Sequence, residues 1–173
     1  CHQSSRVTAL WLVTSWMRRP DWRNPFAGLI DHLIDGPGEI PLLRLAGFHA
    51  PASGSFISYS AAEWPDYLAP GPILPYYASR GCYWNRCAYC PEPAEGHGYQ
   101  PRPVQQVLAD LGRLTALHKP ALIHFTDNAL SPALLRALIE QPPGVPWYGF
   151  VRITTQLMDQ EFCCGLKKSG CAM

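Results

Sequence analysis

Charge is what this sequence has least of. Asp, Glu, Lys and Arg make up 16 % of its 173 residues, against about a quarter in an ordinary domain. The 14 basic and 13 acidic residues leave a net charge of +1, which removes the electrostatic case for nucleic acid or an anionic membrane as the default partner. No apolar run approaches the roughly 20 residues of a membrane-spanning helix. No leader-like stretch opens the chain, because His2, Gln3 and Arg6 interrupt it. Internal repeats and low-complexity tracts are absent too. What is plentiful is proline, at 18 residues, about twice its usual share. Hydrophobic residues reach 47 %, enough to bury a core and too many for a disordered chain.

Seven cysteines are an odd number, which excludes a fully paired disulfide framework within one chain. Their spacing says more. Cys82, Cys87 and Cys90 stand within nine residues, in Ser79-Arg80-Gly81-Cys82-Tyr83-Trp84-Asn85-Arg86-Cys87-Ala88-Tyr89-Cys90-Pro91. Such a cluster in a chain without a leader reads as metal or redox chemistry in a reducing compartment, here the cytoplasm. Thiolates are the ligands of iron–sulfur clusters, and four of them close a [4Fe–4S] site. A fourth cysteine is not nearby, so one iron stays open to a small molecule, and an open metal position marks a reactive centre. The competing possibility is a structural zinc site with His97 or Cys1 as fourth ligand. Zinc sites favour paired C-x2-C units, and only Cys87 and Cys90 form one.

Three zones follow along the chain. Residues 1–47 hold a strand expected over Val7 to Ser15 and another over Leu29 to Ile34. A Gly36-Pro37-Gly38-Glu39 turn comes next, then a short helix from Glu39 to Ala46 with Leu42, Leu43 and Leu45 on its apolar side. Residues 48–72 form an ordered, proline-rich linker pinned by Phe56, Tyr59, Trp64 and Tyr67. Residues 73–173 alternate strand and helix. Strands are expected over Ile73 to Ser79, Ala121 to Thr126 and Trp147 to Ile153. A helix with Val104, Val107, Leu108, Leu111, Leu114 and Leu117 starts near Pro103 and ends at Lys119-Pro120. A second is capped by Ser131 with Pro132 in its first position and stopped by Pro142-Pro143-Gly144. Asp159 caps a third, which bears Phe162 and Leu166 and ends at Gly170. That rhythm means a parallel sheet, with ligands gathering at the carboxyl ends of its strands.

With the cysteine loop directly after the first strand of such a series, the chain resembles radical S-adenosylmethionine (radical SAM) enzymes. Cys82-x4-Cys87-x2-Cys90 carries one residue more than the usual x3 and x2. Its Gly-Cys-Tyr-Trp form is similar to a branch whose members often carry a cobalamin-binding domain in front. The resemblance implies an α/β fold: an incomplete (β/α)6-type partial TIM barrel over 73–173, preceded by the carboxyl-terminal remnant of a Rossmann-like cobalamin-binding domain over 1–47. A whole barrel of this kind needs roughly 200 residues by scaling from the eight-stranded one, and both ends of the chain look cut, so a piece of a longer protein is expected. The resemblance further implies that Cys82, Cys87 and Cys90 bind a [4Fe–4S] cluster whose open iron takes the amino and carboxylate groups of SAM. Reductive cleavage then yields methionine and a 5′-deoxyadenosyl radical, which takes hydrogen from a small-molecule or peptide substrate. Tyr89 matches the aromatic near the adenine. His124-Phe125-Thr126-Asp127-Asn128 stands where the family holds the methionine part, although no Gly-Gly-Glu type sequence is present, and Arg152 matches a polar position on the third strand. An electron donor of the flavodoxin or ferredoxin kind is implied as partner. Cobalamin-dependent methyl transfer is a further option, although no Asp-x-His-x-x-Gly ligand motif occurs in the sequence.

Plainer roles compete at several positions. Asp127 and Asn128 suit turn chemistry after a strand. Arg152 suits a satisfied barrel residue, and Glu39 suits a helix N-terminus whose dipole it complements. Trp84 and Tyr83 either shield the thiols from water or fill the loop. Cys163, Cys164 and Cys171 are expected to be small buried hydrophobes and not an auxiliary cluster, since adjacent helical positions face different ways. An iron–sulfur electron-transfer module without SAM chemistry, and a zinc-binding interaction module, remain the alternative functions.

Overall fold

A computed structural model describes residues 10–13, 32–35, 38–49, 58–59, 68–90, 92 and 98–172. The chain divides into two units, Cys1–Ser55 with Ala88–His97, and Phe56–Cys87 with Gly98–Met173. In the first unit, β1 (Leu10–Val13) pairs in parallel with β2 (His32–Asp35), Leu10 opposite His32 and Val13 opposite Asp35. Helix α1 (Glu39–Leu45) begins after Gly38 and closes when the Phe48 N–H reaches back to Leu43 O at 2.8 Å, with Gly47 at φ 78°. Glycine tolerates that left-handed turn without a Cβ penalty. The helix and the described parts of both strands overlap the expected spans, β2 running one residue further, to Asp35; residues 7–9, 14–15 and 29–31 lie outside the described residues. The apolar side of α1 differs from expectation, with Leu42 37 % and Leu45 48 % exposed.

The second unit is built on three parallel strands in the order β3 (Ile73–Tyr76), β6 (Leu122–Phe125) and β7 (Trp147–Gly149). Ile73 stands opposite Leu122, and Ile123 opposite Trp147. Two short strands, β4 (Ser79–Arg80) and β5 (Gln100–Pro101), form an antiparallel ribbon beyond β3. Alternation sorts the faces of the parallel sheet. Leu74, Tyr76, Ile123, Phe125 and Trp147 are buried against the helices, while Ile73 and Pro75 are exposed. Three helices supply the opposing apolar stripes: α2 (Val104–His118), α3 (Pro132–Glu140) and α4 (Gln160–Lys168). Val107, Leu111 and Leu114 recur at helical spacing on α2, and Leu134, Leu135 and Leu138 on α3. Leu166 comes from α4 and joins the same core. The aromatic residues interlock edge to face, Phe125 against Tyr76 at 5.9 Å and against Trp147 at 5.8 Å. Of the expected linker anchors, Tyr59 is described. Its hydroxyl donates to Pro75 O and its ring meets His118 edge-on at 5.8 Å. Phe56, Trp64 and Tyr67 lie outside the described residues.

Caps follow the sequence closely. Ser131 Oγ accepts from Leu134 N–H at 3.2 Å with Pro132 leading α3, and Asp159 accepts from Glu161 N–H at 2.8 Å. Pro103 takes the cap position itself, one residue before α2. The third strand is shorter than expected. It stops at Gly149, opposite Phe125 at the end of β6, and the next carbonyl, Phe150 O, accepts instead from Leu130 N–H at 2.8 Å. Arg152 is therefore in the irregular segment after β7 and not on a strand. Cys163 and Cys164 are exposed and not buried. The inner stripe of α4 belongs to Phe162, Leu166 and Gly165, where an added Cβ would sit 3.1 Å from Ile139. Cys171 lies past the helix, bridged in parallel to Trp147. Among the described residues the fold is thus mixed α/β with a three-stranded parallel sheet; neither a barrel nor a Rossmann domain is assembled.

Gly149 faces Phe125 across the sheet, and a Cβ there would stand 2.8 Å from Phe125 Cβ. Gly149→Ala is expected to lower unfolding free energy by about 1–3 kcal/mol through overpacking, measured by chemical denaturation. An unchanged midpoint refutes the close approach.

Candidate functional site

The loop that carries the cysteines leaves the sheet at the carboxyl end of β3. Its neck is closed by the β4–β5 ribbon, Ser79 opposite Pro101 and Arg80 opposite Gln100, and by Arg102 N–H donating to Ala78 O at 2.8 Å. Gly81 at φ 72° and Asn85 at φ 46° turn the backbone inside it, conformations that glycine and asparagine accept more readily than other residues. Cys82 and Cys87 belong to this unit, and Cys90 to the segment 88–97 of the other. All three are free thiols of intermediate exposure.

Asp127 holds the root of the loop. It is 3 % exposed at the end of β6. One carboxylate oxygen accepts from Ala78 N–H at 2.8 Å and the other from Ser79 Oγ at 2.6 Å. Both oxygens are thus engaged with the chain that leads into the cysteines. Farther out, the Arg152 guanidinium lies 3.5 Å from the centroid of the Trp84 ring, and that of Arg86 lies 5.4 Å from it. Tyr83 meets Tyr99 edge-on at 6.3 Å. Burial raises the Tyr83 phenol above its ordinary value of 10.0, and the nearby Arg152 charge opposes the rise. Two of the expected cofactor contacts, Asp127 and Arg152, are therefore brought to the cysteine loop itself. The others are more open. Thr126 is exposed, with its hydroxyl 3.3 Å from Tyr76 O; Asn128 is exposed; Tyr89 is 91 % exposed. His124 stacks on Tyr148 at 4.2 Å.

Apolar periodicity passes over Asp110, which is 3 % exposed on the inner stripe of α2. It accepts from Arg113 at 2.9 Å and from the Tyr76 hydroxyl at 3.1 Å, and pairs with Arg102 at 3.5 Å. Arg102 also donates to the Tyr76 hydroxyl at 3.2 Å. An acidic residue three positions from Val107 on an otherwise apolar face was the available signal. Beside this cluster a cleft of about 450 Å³ opens between Ser79, Tyr99, Arg102, Val104, Asp127 and Ser131.

No family model, curated protein or solved structure matches this chain. Three free thiols within nine residues are a donor set that suits an iron–sulfur cluster. Among the described residues no three His, Cys, Asp or Glu side chains are gathered as they are around a bound ion. No helix among them is long and apolar enough to cross a membrane.

Two outcomes test this arrangement in metal-free protein. Asp127→Ala strands a buried N–H and a buried hydroxyl, and is expected to cost about 2–4 kcal/mol of stability. Asp127→Asn should retain part of that, read by urea denaturation. A residue that served only as a cofactor ligand would leave metal-free stability unchanged. Burial also pushes the Tyr76 phenol well above 10.0; the Arg102 charge pulls the other way and Asp110 adds to the rise. The folded state then keeps this proton where the unfolded chain releases it, so its contribution is full below pH 10 and is lost as pH rises beyond that. Tyr76→Phe is expected to flatten the alkaline fall in stability relative to wild type. Parallel alkaline limbs in the two proteins would dismiss the coupling.

Proposed function

We propose that this chain is part of a radical SAM enzyme and that Cys82, Cys87 and Cys90 are its cluster ligands. One observation carries the proposal: the three free thiols follow, in sequence, the first strand of a parallel sheet whose strands run in chain order with one helix-covered face. Strands in sequential order with helices on a single side suit the winding of a partial barrel. A doubly wound sheet reverses its order and covers both faces. The open face, with Ile73, Pro75 and the His124–Tyr148 stack, then corresponds to the barrel interior.

A [4Fe–4S] cluster at these thiols, with SAM on its open iron, supplies one-electron cleavage of the sulfonium. The chain's own residues do the rest. Cys82, Cys87 and Cys90 bind as thiolates. Asp127 fixes where the loop begins. Thr126 and Asn128, exposed at the carboxyl end of β6, offer a hydroxyl and an amide to the amino acid part of SAM, and Tyr89 offers a ring to its adenine. Trp84 and Tyr83 shield the loop from water. An electron donor of the flavodoxin or ferredoxin kind completes the system. The front unit, two parallel strands and a helix entered through Gly38, suits the end of a Rossmann-like domain, so cobalamin and methyl transfer belong to the same proposal.

The test is anaerobic reconstitution with iron and sulfide, followed by EPR of the dithionite-reduced protein with and without SAM. A [4Fe–4S]+ signal that changes on adding SAM and vanishes in Cys87→Ala is expected. A cluster indifferent to SAM points to electron transfer alone. A colourless protein that takes one zinc instead ends the radical proposal.

A further inference from the structure

We propose that Arg152 is the positioning residue that fixes the cysteine loop, acting through the Trp84 ring and not as a ligand of any cofactor. This rests on the metal-loop reading above for its purpose, and on the geometry alone for its existence.

The loop has a firm root and a crown that needs a second hold. At the root, Asp127 and the β4–β5 ribbon fix residues 78–80 and 100–102. Beyond Gly81, positive φ angles at Gly81 and Asn85 make tight turns, and no hydrogen bond between the loop backbone from 82 to 87 and the rest of the backbone is found among the described residues. Among the described residues, what holds that stretch is side-chain contact: Tyr83 meets Tyr99 edge-on at 6.3 Å, and the Trp84 ring carries an arginine. Trp84 stands midway between Cys82 and Cys87. The Arg152 guanidinium is 3.5 Å from its ring centroid, well inside the range of a cation–π contact. Arg152 is half-buried, so its charge is partly removed from water, where such a contact is strongest. The Arg86 guanidinium lies 5.4 Å from the same ring, but Arg86 belongs to the loop and cannot anchor it to anything outside. Arg152 can, because it stands three residues past the end of β7, and Phe150 between them is tied through its carbonyl to Leu130 N–H at 2.8 Å. The loop is thereby held from both later strands of the sheet: at its root by Asp127, two residues past β6, and at its crown by the segment after β7.

The experiment places 5-fluorotryptophan in the metal-free protein, assigns the Trp84 resonance with Trp84→Phe, and follows it by fluorine NMR in Arg152→Ala, Arg152→Met and Arg152→Lys. Iron uptake under reconstitution is measured alongside. The Trp84 resonance is expected to move towards that of the free amino acid in Arg152→Ala and Arg152→Met. Alkylation of Cys82 and Cys87 should quicken about tenfold, as loss of a partly desolvated cation–π contact allows. Arg152→Lys should lie between, since lysine keeps the charge and loses the planar stack. Iron occupancy at limiting iron should fall in the same order. A Trp84 resonance unmoved in Arg152→Ala overturns the clamp. A resonance that moves while iron occupancy stays at the wild-type level overturns its role at the metal loop. A wild-type protein that takes up no iron overturns the proposed function instead, and the Trp84 resonance still decides whether Arg152 holds the loop.

Discussion

The buried carboxylate of Asp127 joins two parts of the chain 48 and 49 residues apart, by accepting from Ser79 and from Ala78. Everything at the carboxyl end of the sheet hangs from that junction. It sets where β3 yields to the β4–β5 ribbon, and so where the cysteine loop departs. A carboxylate at this depth is tolerated because both its oxygens are hydrogen-bonded. The same engagement limits its chemistry: a group already occupied by two donors is better suited to shaping a site than to gripping a ligand.

The three-stranded sheet gives this junction a stiff base. One face is closed by α2, α3 and α4 around Phe125 and Trp147, and the Asp110, Arg102 and Tyr76 cluster ties α2 to the last residue of β3. That cluster is polar in a place where the sequence pattern calls for oil. It persists because each charge has a partner and the phenol both accepts from Arg102 and donates to Asp110. The stretch of loop holding the thiols lies beyond this framework, with positive φ at Gly81 and Asn85.

Much of this was legible in the residues. The caps at Ser131 and Asp159 announce their helices because a side-chain oxygen meeting a bare N–H is a purely local event. Val107, Leu111 and Leu114 announce the inner face of α2 in the same way. The length of the third strand is not legible there: Phe150, Val151 and Ile153 have strand-like side chains, but a strand also needs a neighbour, and β6 ends at Phe125. The cysteines of α4 were over-buried in expectation, because which stripe of a short helix faces inward depends on Ile139, a residue of another helix. At the site, the thiols are read at once from their spacing. The assignments of Asp127 and Arg152 to the loop are not, because each rests on a partner far off in sequence. Asp110 escaped for a similar reason, as its meaning comes from Tyr76 on the sheet.

The order of strands has a consequence for how the molecule comes into being. Pairings run from β3 to β6 to β7, and onward from Trp147 to Cys171, so each strand joins the one made just before it. Each such pairing closes a long loop, Ile73 against Leu122 and Ile123 against Trp147, so the sheet forms slowly and is completed late in synthesis. The thiols, however, are made well before the residues that frame them. Asp127 and then Arg152 emerge later, so the root of the loop and the Trp84–Arg152 contact are completed only once the chain has grown past both.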